Sequence, residues 1–227
     1  MINKSFTFPS TPHLITLPGV LVREDKVLSE CERREMLANV LSVEEKIDGA
    51  NLAISFDEDA NLTMQNRGTI LTEPFDGQWK RLKSWLNNRE EILFDALGTE
   101  LILCGEWCYA THSVYYDRLP DLFLGFDIYQ KNNKRFWSVK KRHALLMQMR
   151  LFEVPMLNQG RFSLTEIIGL ISQSKYASAS AEGIYLRFDE GDWLVNRAKV
   201  VRAEFIQTME AHWTRSESKT NRLMTKD

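Results

Sequence analysis

An α+β fold built on antiparallel sheets is the architecture this sequence favours, on three grounds. Short alternating or continuous apolar runs recur along the chain, polar or glycine-containing turns separate them, and the helical stretches between are not spaced as regular β-α-β units. With 227 residues, 44% of them hydrophobic, and only 11 Gly and 6 Pro, the chain suits one compact domain. The same figures exclude a collagen, a low-complexity chain and a small disulfide-stapled fold.

Through Arg23 the chain sets Pro9, Pro12 and Pro18 among short apolar groups, the pattern of edge strands or an arm. Lys26 to Met36 is charged and has room for a short helix. Val40 to Lys46 and Asn51 to Phe56 are strands around the turn Ile47-Asp48-Gly49-Ala50, and the polar turn Asp57 to Asn61 leads into a third, Leu62 to Gln65. From Pro74 to Leu97, apolar residues such as Trp79, Leu82, Trp85, Leu86, Leu93 and Leu97 recur every three or four positions, which predicts one or two amphipathic helices. Leu101 to Cys108 and Leu122 to Tyr129 are buried strands, so Tyr109 to Asp121 is a loop between them and a natural site wall. Lys140 to Arg150 is helical in pattern. Ser163 to Gln173 starts with the capping-box spacing Ser163 to Glu166. Gly183 to Phe188 and Trp193 to Val201 form strands around the turn Asp189 to Asp192, and the charged stretch 214–227, poor in large apolar residues, reads as a flexible tail after a single domain over 1–213.

Lys and Arg number 29 against 31 Asp and Glu, a net charge of −2, so global basicity is no nucleic-acid footprint, though a local basic groove is compatible with it. Cys31, Cys104 and Cys108 form no paired CxxC units, which speaks for a reducing compartment and against a zinc site. No apolar run reaches the roughly 18 residues of a membrane span, and no secretory signal pattern opens the chain. A cytoplasmic protein without a membrane partner is the expectation.

The sharpest feature is Glu45-Lys46-Ile47-Asp48-Gly49-Ala50-Asn51, where a lysine stands between a strand and a glycine turn that permits unusual backbone geometry or close ligand approach. Alone it is short enough to arise by chance. It is followed in order by Asn66-Arg67-Gly68, Cys104-Gly105-Glu106-Trp107, Phe123-Leu124-Gly125-Phe126-Asp127-Ile128, Ala181-Glu182-Gly183-Ile184 and Arg197-Ala198-Lys199-Val200. This ordered set resembles the nucleotidyltransferase motifs of ATP-dependent polynucleotide ligases, more closely the RNA ligase branch related to the phage double-strand RNA end-joining enzymes.

The resemblance implies an ATP-grasp-like ligase adenylation fold, with antiparallel sheets flanking a nucleotide groove. It implies Lys46 as nucleophile, a covalent lysyl-AMP, transfer of AMP to a 5′-phosphate and sealing to a 3′-hydroxyl, with Mg²⁺ or Mn²⁺ assisting and RNA ends or a nicked duplex as substrate, as in RNA repair. By resemblance, Arg67 lies near the ribose or phosphates, Glu106 holds the ribose hydroxyl and Phe126 stacks on adenine. Glu182 helps place the metal, Lys199 contacts the α-phosphate, and Glu45 or its backbone reads the adenine amino group. Attack on phosphorus needs a neutral amine, so a partly desolvated Lys46 near other cations suits the chemistry.

The last motif departs from the family's two lysines one residue apart: here Arg197 and Lys199 share one face of a strand, and Lys199 is the firmer candidate. Bland readings stand beside these roles. Glu106 is also readable as a paired structural carboxylate, Phe126 as a core aromatic, Asp127 as an orienting group, and His112 as an ordinary loop histidine. Lys131, Lys134 and Arg135, and Lys140 to His143, read as solvated faces or as phosphate contacts. Too few residues flank Lys46 and Lys199 for an OB or other second domain, which suggests a minimal core aided by an accessory protein. The alternatives are a GTP-dependent capping-type guanylyltransferase, a DNA ligase, and a catalytically silent end-binding protein.

Overall fold

The computed structural model describes residues 6–19, 26–202 and 219–225. In chain order its elements are α1 (Glu30–Leu37), β1 (Leu41–Lys46), β2 (Ala50–Phe56), β3 (Leu62–Asn66), β4 (Thr69–Ile70), α2 (Leu82–Leu86), α3 (Glu90–Leu97) and β5 (Leu101–Trp107). They continue with β6 (Phe123–Gln130), β7 (Arg135–Phe136), α4 (Val139–Gln148), β8 (Phe152–Glu153), β9 (Met156–Gly160), α5 (Leu164–Gly169), β10 (Gly183–Glu190) and β11 (Trp193–Val201). One sheet runs β11-β10-β1-β9; the other runs β4-β3-β2-β5-β6-β7, with β8 added parallel to β6. Every other strand pair is antiparallel.

Alternation decides what faces the groove between the sheets. In the first sheet Leu41, Val43, Ile184, Leu186, Ala198 and Val200 fall on one face and are fully buried with Leu14, Met36 and Ile167. The intervening residues Glu44, Lys46, Tyr185, Arg187, Arg197 and Lys199 lie on the other face, with Glu44 opposite Tyr185 and Tyr185 opposite Lys199. In the second sheet Leu52, Ile54, Phe56, Leu103, Trp107, Phe123 and Ile128 pack with Leu82, Trp85, Leu86, Leu93 and Leu97 of α2 and α3. Each large apolar side chain buried this way contributes roughly 1.5–3 kcal/mol, so the sheets are held from their outer faces and the polar groove between them is carried by that framework.

Local signals set the helix starts. Ser163 Oγ accepts from the Glu166 N–H at 3.3 Å while the Glu166 carboxylate accepts from the Ser163 N–H at 2.7 Å, the reciprocal cap that the spacing predicts for α5. Ser29 and Glu32 do the same for α1.

The proline-bearing opening is an arm. Phe6 and Phe8 lie against Ala53, Cys104, Phe126 and Tyr129 on the groove side of the second sheet. Pro12 O then accepts from the Lys199 N–H at 3.0 Å and Leu14 N–H donates to Lys199 O at 2.8 Å, adding a short parallel bridge to β11.

Two features depart from the sequence reading. β9, interrupted just upstream by Pro155 and exposed along most of its length, pairs with β1 although its own pattern is not that of a strand. Within the stretch 214–227, read as a flexible tail, residues 219–225 are seated on the 109–121 loop, because Asn221 satisfies backbone groups of that loop; the remainder of that stretch lies outside the described residues. No described helix is long and apolar enough to cross a membrane.

Candidate active site

Lys46 closes β1, and the chain then crosses from one sheet to the other through Ile47-Asp48-Gly49. This turn is tightly held. The Asp48 N–H donates to the Tyr116 hydroxyl at 2.7 Å, and Asp48 Oδ2 accepts from the N–H groups of Ser113 at 2.6 Å and Val114 at 3.0 Å. A Cβ at residue 49 would stand 2.8 Å from Trp107 O and 3.2 Å from Cys108 Sγ, so the glycine is there for the close approach of β5's end, not for a ligand. Opposite Lys46 in the register is Gly183, where a Cβ would meet Val200 O at 2.1 Å.

Lys46 Nζ donates to Glu182 Oε2 at 2.5 Å, both side chains largely shielded from solvent. Burial works to lower the Lys46 pKa, but the charges of Glu182, Tyr185 and Glu106 and the hydrogen bond to Glu182 outweigh it, and the net direction is up. The expectation of a predisposed neutral amine therefore gives way to a lysine held as an ammonium in the free protein. Lys199 goes the other way: burial, then the positive charge of Lys46, lowers it to about 8. Burial raises Glu106 to about 8 against the opposing pull of Lys46, and burial also raises Glu182 and Tyr185. Lys199 forms no ion pair among the described residues, although the charge of Glu182 acts on it, and Glu106 Oε2, itself buried, has no hydrogen-bond partner.

Beside Glu106 the groove continues into a narrow pocket bounded by Phe8, Glu45, Ile47, Phe126, Val154 and Tyr185. Phe126 is half-buried with Phe8 edge-on at 5.4 Å between ring centroids. Glu45 is buried; Oε2 accepts from the Lys175 N–H at 2.9 Å, its own N–H donates to Pro155 O at 2.8 Å, and Oε1 is unpartnered.

An ion-pair network lies under Phe126. The Phe126 carbonyl accepts from Arg142 Nη1 at 2.6 Å and Arg187 Nη1 at 3.4 Å. Arg142, fully buried, is paired with Glu44 and, at 3.1 Å, with Glu153. Asp127 bridges Arg187 Nη1 at 2.7 Å and Arg197 Nη1 at 2.8 Å, tying β6 to β10 and β11 across the groove.

Lys46, Glu182, Glu106 and Lys199 thus meet at one end of the groove, with Glu45 and Phe126 at the other. Arg67 stands at an exposed hairpin turn with φ 54°, its charge still felt at Glu106 and Lys199. Arg197 shares a strand face with Lys199, but its guanidinium is engaged by Asp127 and stacked over Phe8 and Phe136 at 4.5 and 4.6 Å, so the two cations do not converge. Sequence reasoning missed Phe8, Tyr185, Glu44, Arg142 and Arg187. Strand alternation from Lys46 and Lys199 back along each strand could have found Glu44 and, through pairing, Tyr185; nothing local marks Arg142, which sits in what reads as a solvated helix start.

The donor set favours a flat heterocycle over Phe126, hydroxyl donors toward the orphan Glu106 oxygen, and a polyanion at Lys46 and Lys199. Among the described residues no three His, Cys, Asp or Glu side chains converge on one point. A divalent cation fits here only as Mg²⁺-like ions commonly sit, on one or two carboxylates with phosphate oxygens and water completing the shell, which Glu182 and Glu106 can supply.

The profile of the RNA ligase family matches residues 39–201. A Naegleria gruberi RNA ligase structure with PPi is similar at 18% identity, covering 77% of this chain and 52% of that one, with a TM-score of 0.61. A variant of that ligase with ATP and Mn is similar at 18% identity over 78% and 54% of the two chains, TM-score 0.59. An archaeal ATP-dependent RNA ligase is similar at 21% identity over 88% and 49%, TM-score 0.61. The chain spans about half the length of these structures, and at such identities the likeness is one of fold. No curated protein matches the chain.

Proposed function

This chain belongs to the RNA ligase family, and from that premise we propose that it is an ATP-dependent RNA ligase working through a covalent lysyl-AMP. The observation that carries the reading is the meeting of Lys46, Glu182, Glu106 and Lys199 at one end of a groove whose other end offers Phe126 and a carboxylate.

Lys46 Nζ attacks the α-phosphorus of ATP, an N–P bond forming as the bond to the pyrophosphate oxygen breaks. Its ammonium proton first passes to Glu182 Oε2, the carboxylate already hydrogen-bonded to it at 2.5 Å and made more basic by burial. A bound divalent cation supplies positive charge that offsets the Lys46–Glu182 pairing and screens the triphosphate. Lys199, without an ion-pair partner of its own, is placed to pair with the α-phosphate and stabilise the charge that builds on it. Glu106 accepts from a ribose hydroxyl through the oxygen now lacking a partner, Phe126 stacks on the adenine, Glu45 Oε1 accepts from its amino group, and Arg67 reaches in from the rim. The 5′-phosphate of an RNA end then attacks the lysyl-bound AMP, and a 3′-hydroxyl displaces AMP to close the phosphodiester.

The test is incubation of the protein with α-labelled ATP or GTP and Mg²⁺ or Mn²⁺, followed by denaturing electrophoresis. Label from ATP that survives denaturation and is lost in Lys46→Ala supports the reading. Label from GTP alone moves it to guanylyl transfer, and no label from folded protein leaves a silent end-binding protein.

A further inference from the structure

The segment 219–225 is far from Lys46 in sequence and close to it in hydrogen bonds. We propose that Asn221 is a positioning residue for the lysine nucleophile, acting through Tyr116 and Asp48; this rests on the function proposed above.

The side chain of Asn221 is buried and every bond it can make is made. Oδ1 accepts from the Tyr116 N–H at 2.9 Å and from Thr111 Oγ1 at 2.9 Å, and Nδ2 donates to Cys108 O at 2.9 Å and Ala110 O at 3.1 Å. Its backbone N–H donates to Tyr109 O at 3.0 Å, and on either side Thr111 N–H donates to Lys219 O at 2.8 Å and Arg222 N–H to Tyr116 O at 2.9 Å. One amide therefore gathers the end of β5 and both arms of the 109–121 loop.

What that loop holds is the nucleophile's turn. Tyr116 is fully buried with Ile47, Cys108, Val114 and Leu119, and its hydroxyl accepts the Asp48 N–H at 2.7 Å. Ser113 and Val114 donate to the Asp48 carboxylate from the same loop. Lys46 is two residues away, at a strand end where nothing else but Glu182 fixes its amine by a hydrogen bond among the described residues. The loop has no helix or strand of its own; Tyr176 and Arg222 hold its far arm through backbone bonds to Asp117, Arg118 and Leu119, and Asn221 is the side chain that ties both arms to each other and to the end of β5. In-line attack demands placement of Nζ to a fraction of an ångström, and a displacement of about 1 Å can cost about a hundredfold in rate. Phe126 and Lys199, on β6 and β11, make no hydrogen bond with this brace.

The experiment is a double-mutant cycle on the full chain, with Asn221→Ala and Tyr116→Phe singly and together, the small uncharged Asn221→Ser as the second variant should Asn221→Ala not fold, and hydrogen exchange of the 109–121 peptide. Single-turnover lysyl-AMP formation from labelled ATP is measured across ATP concentrations. The expected result is a maximal rate lower by about tenfold or more in each single variant, half-saturating ATP unchanged within about twofold, and a double variant no slower than the slower single. Faster exchange in 109–121 accompanies the Asn221 substitutions. An Asn221 variant with faster loop exchange and an unchanged maximal rate overturns the inference, as does a double variant slowed by the product of the single effects or a loss confined to ATP affinity. Failure of the wild-type protein to take label overturns the proposed function itself, and is told apart because it precedes any substitution.

Discussion

Around Asp127, acidic and basic groups are ion-paired: Asp127 holds Arg187 and Arg197 at 2.7 and 2.8 Å, and Glu44 and Glu153 hold Arg142, while the Nε–H groups of Arg142 and Arg187 make no hydrogen bond. Around Lys46 the same kinds of groups are left uneven. Glu106 keeps a buried oxygen without a partner, Lys199 forms no ion pair among the described residues though Glu182's charge reaches it, and both titrate near 8. Both regions face one groove and hang on the same strands. Charges that satisfy each other build a scaffold under Phe126, whereas charges left unsatisfied are those a ligand completes. Substitution should therefore destabilise the first region and, at Glu106, stabilise the second while impairing activity.

The largest effect is expected at Asp127→Ala, which strands two buried guanidinium groups and should cost about 3–5 kcal/mol in denaturant unfolding; a loss under about 1 kcal/mol would show that the network does not bear on stability. Next is Gly49→Ala, where the new methyl is driven into the Trp107 carbonyl at 2.8 Å. About 1–3 kcal/mol of destabilisation is expected, read in the same assay, together with slower lysyl-AMP formation.

Lys199 supplies a pH test. Its folded pKa of about 8 lies below the ordinary 10.5, so it is charged below about 8 and neutral above. The half-saturating ATP concentration should rise about three- to tenfold between pH 7 and pH 9, because a neutral amine no longer pairs with phosphate. Glu106 ionises over the same range, so Lys199→Met is needed to separate them; a slope unchanged in that variant would remove Lys199 from the explanation.

The last effect is at Glu106→Gln. Glu106 has a folded pKa of about 8, above the ordinary 4.5, so its contribution to stability is full below 4.5 and is lost as pH rises toward 8. Glutamine does not titrate. The variant's melting temperature should match the wild type near pH 4.5 and exceed it at pH 8, with weaker nucleotide binding; a lower melting temperature at pH 8 would mean that Glu106 is part of the scaffold.

Much of this contrast was legible in the chain and part of it was not. Alternation in 40–56 and 183–201 and the apolar runs at 101–108 and 122–129 locate the strands, because each buries one face and its pattern must say which. Lys46, Glu106 and Lys199 fall on those strands and Glu182 directly precedes one, so the four arrive at one place. Arg142 is illegible for the opposite reason: Lys140 to His143 looks like a solvated run, and only the fold reveals Glu44 and Glu153 waiting for its guanidinium. β9 is hidden because its stability comes from its partner β1, not from its own pattern. Asn221 sits in a charged stretch with few apolar residues, and its value lies wholly in backbone groups it meets in space. Arg197, adjacent in pattern to Lys199, is claimed by Asp127.

The central claim is that Lys46 is the nucleophile even though Lys199 is the more readily deprotonated amine of the free protein. Mapping the site of covalent AMP by digestion and tandem mass spectrometry, after incubation with ATP and Mg²⁺ at pH 8, tests it directly. The account predicts one AMP on the peptide containing Lys46, fragmenting at that residue, and none on the peptide containing Lys199. AMP on Lys199, or on neither lysine of a folded protein, would contradict it.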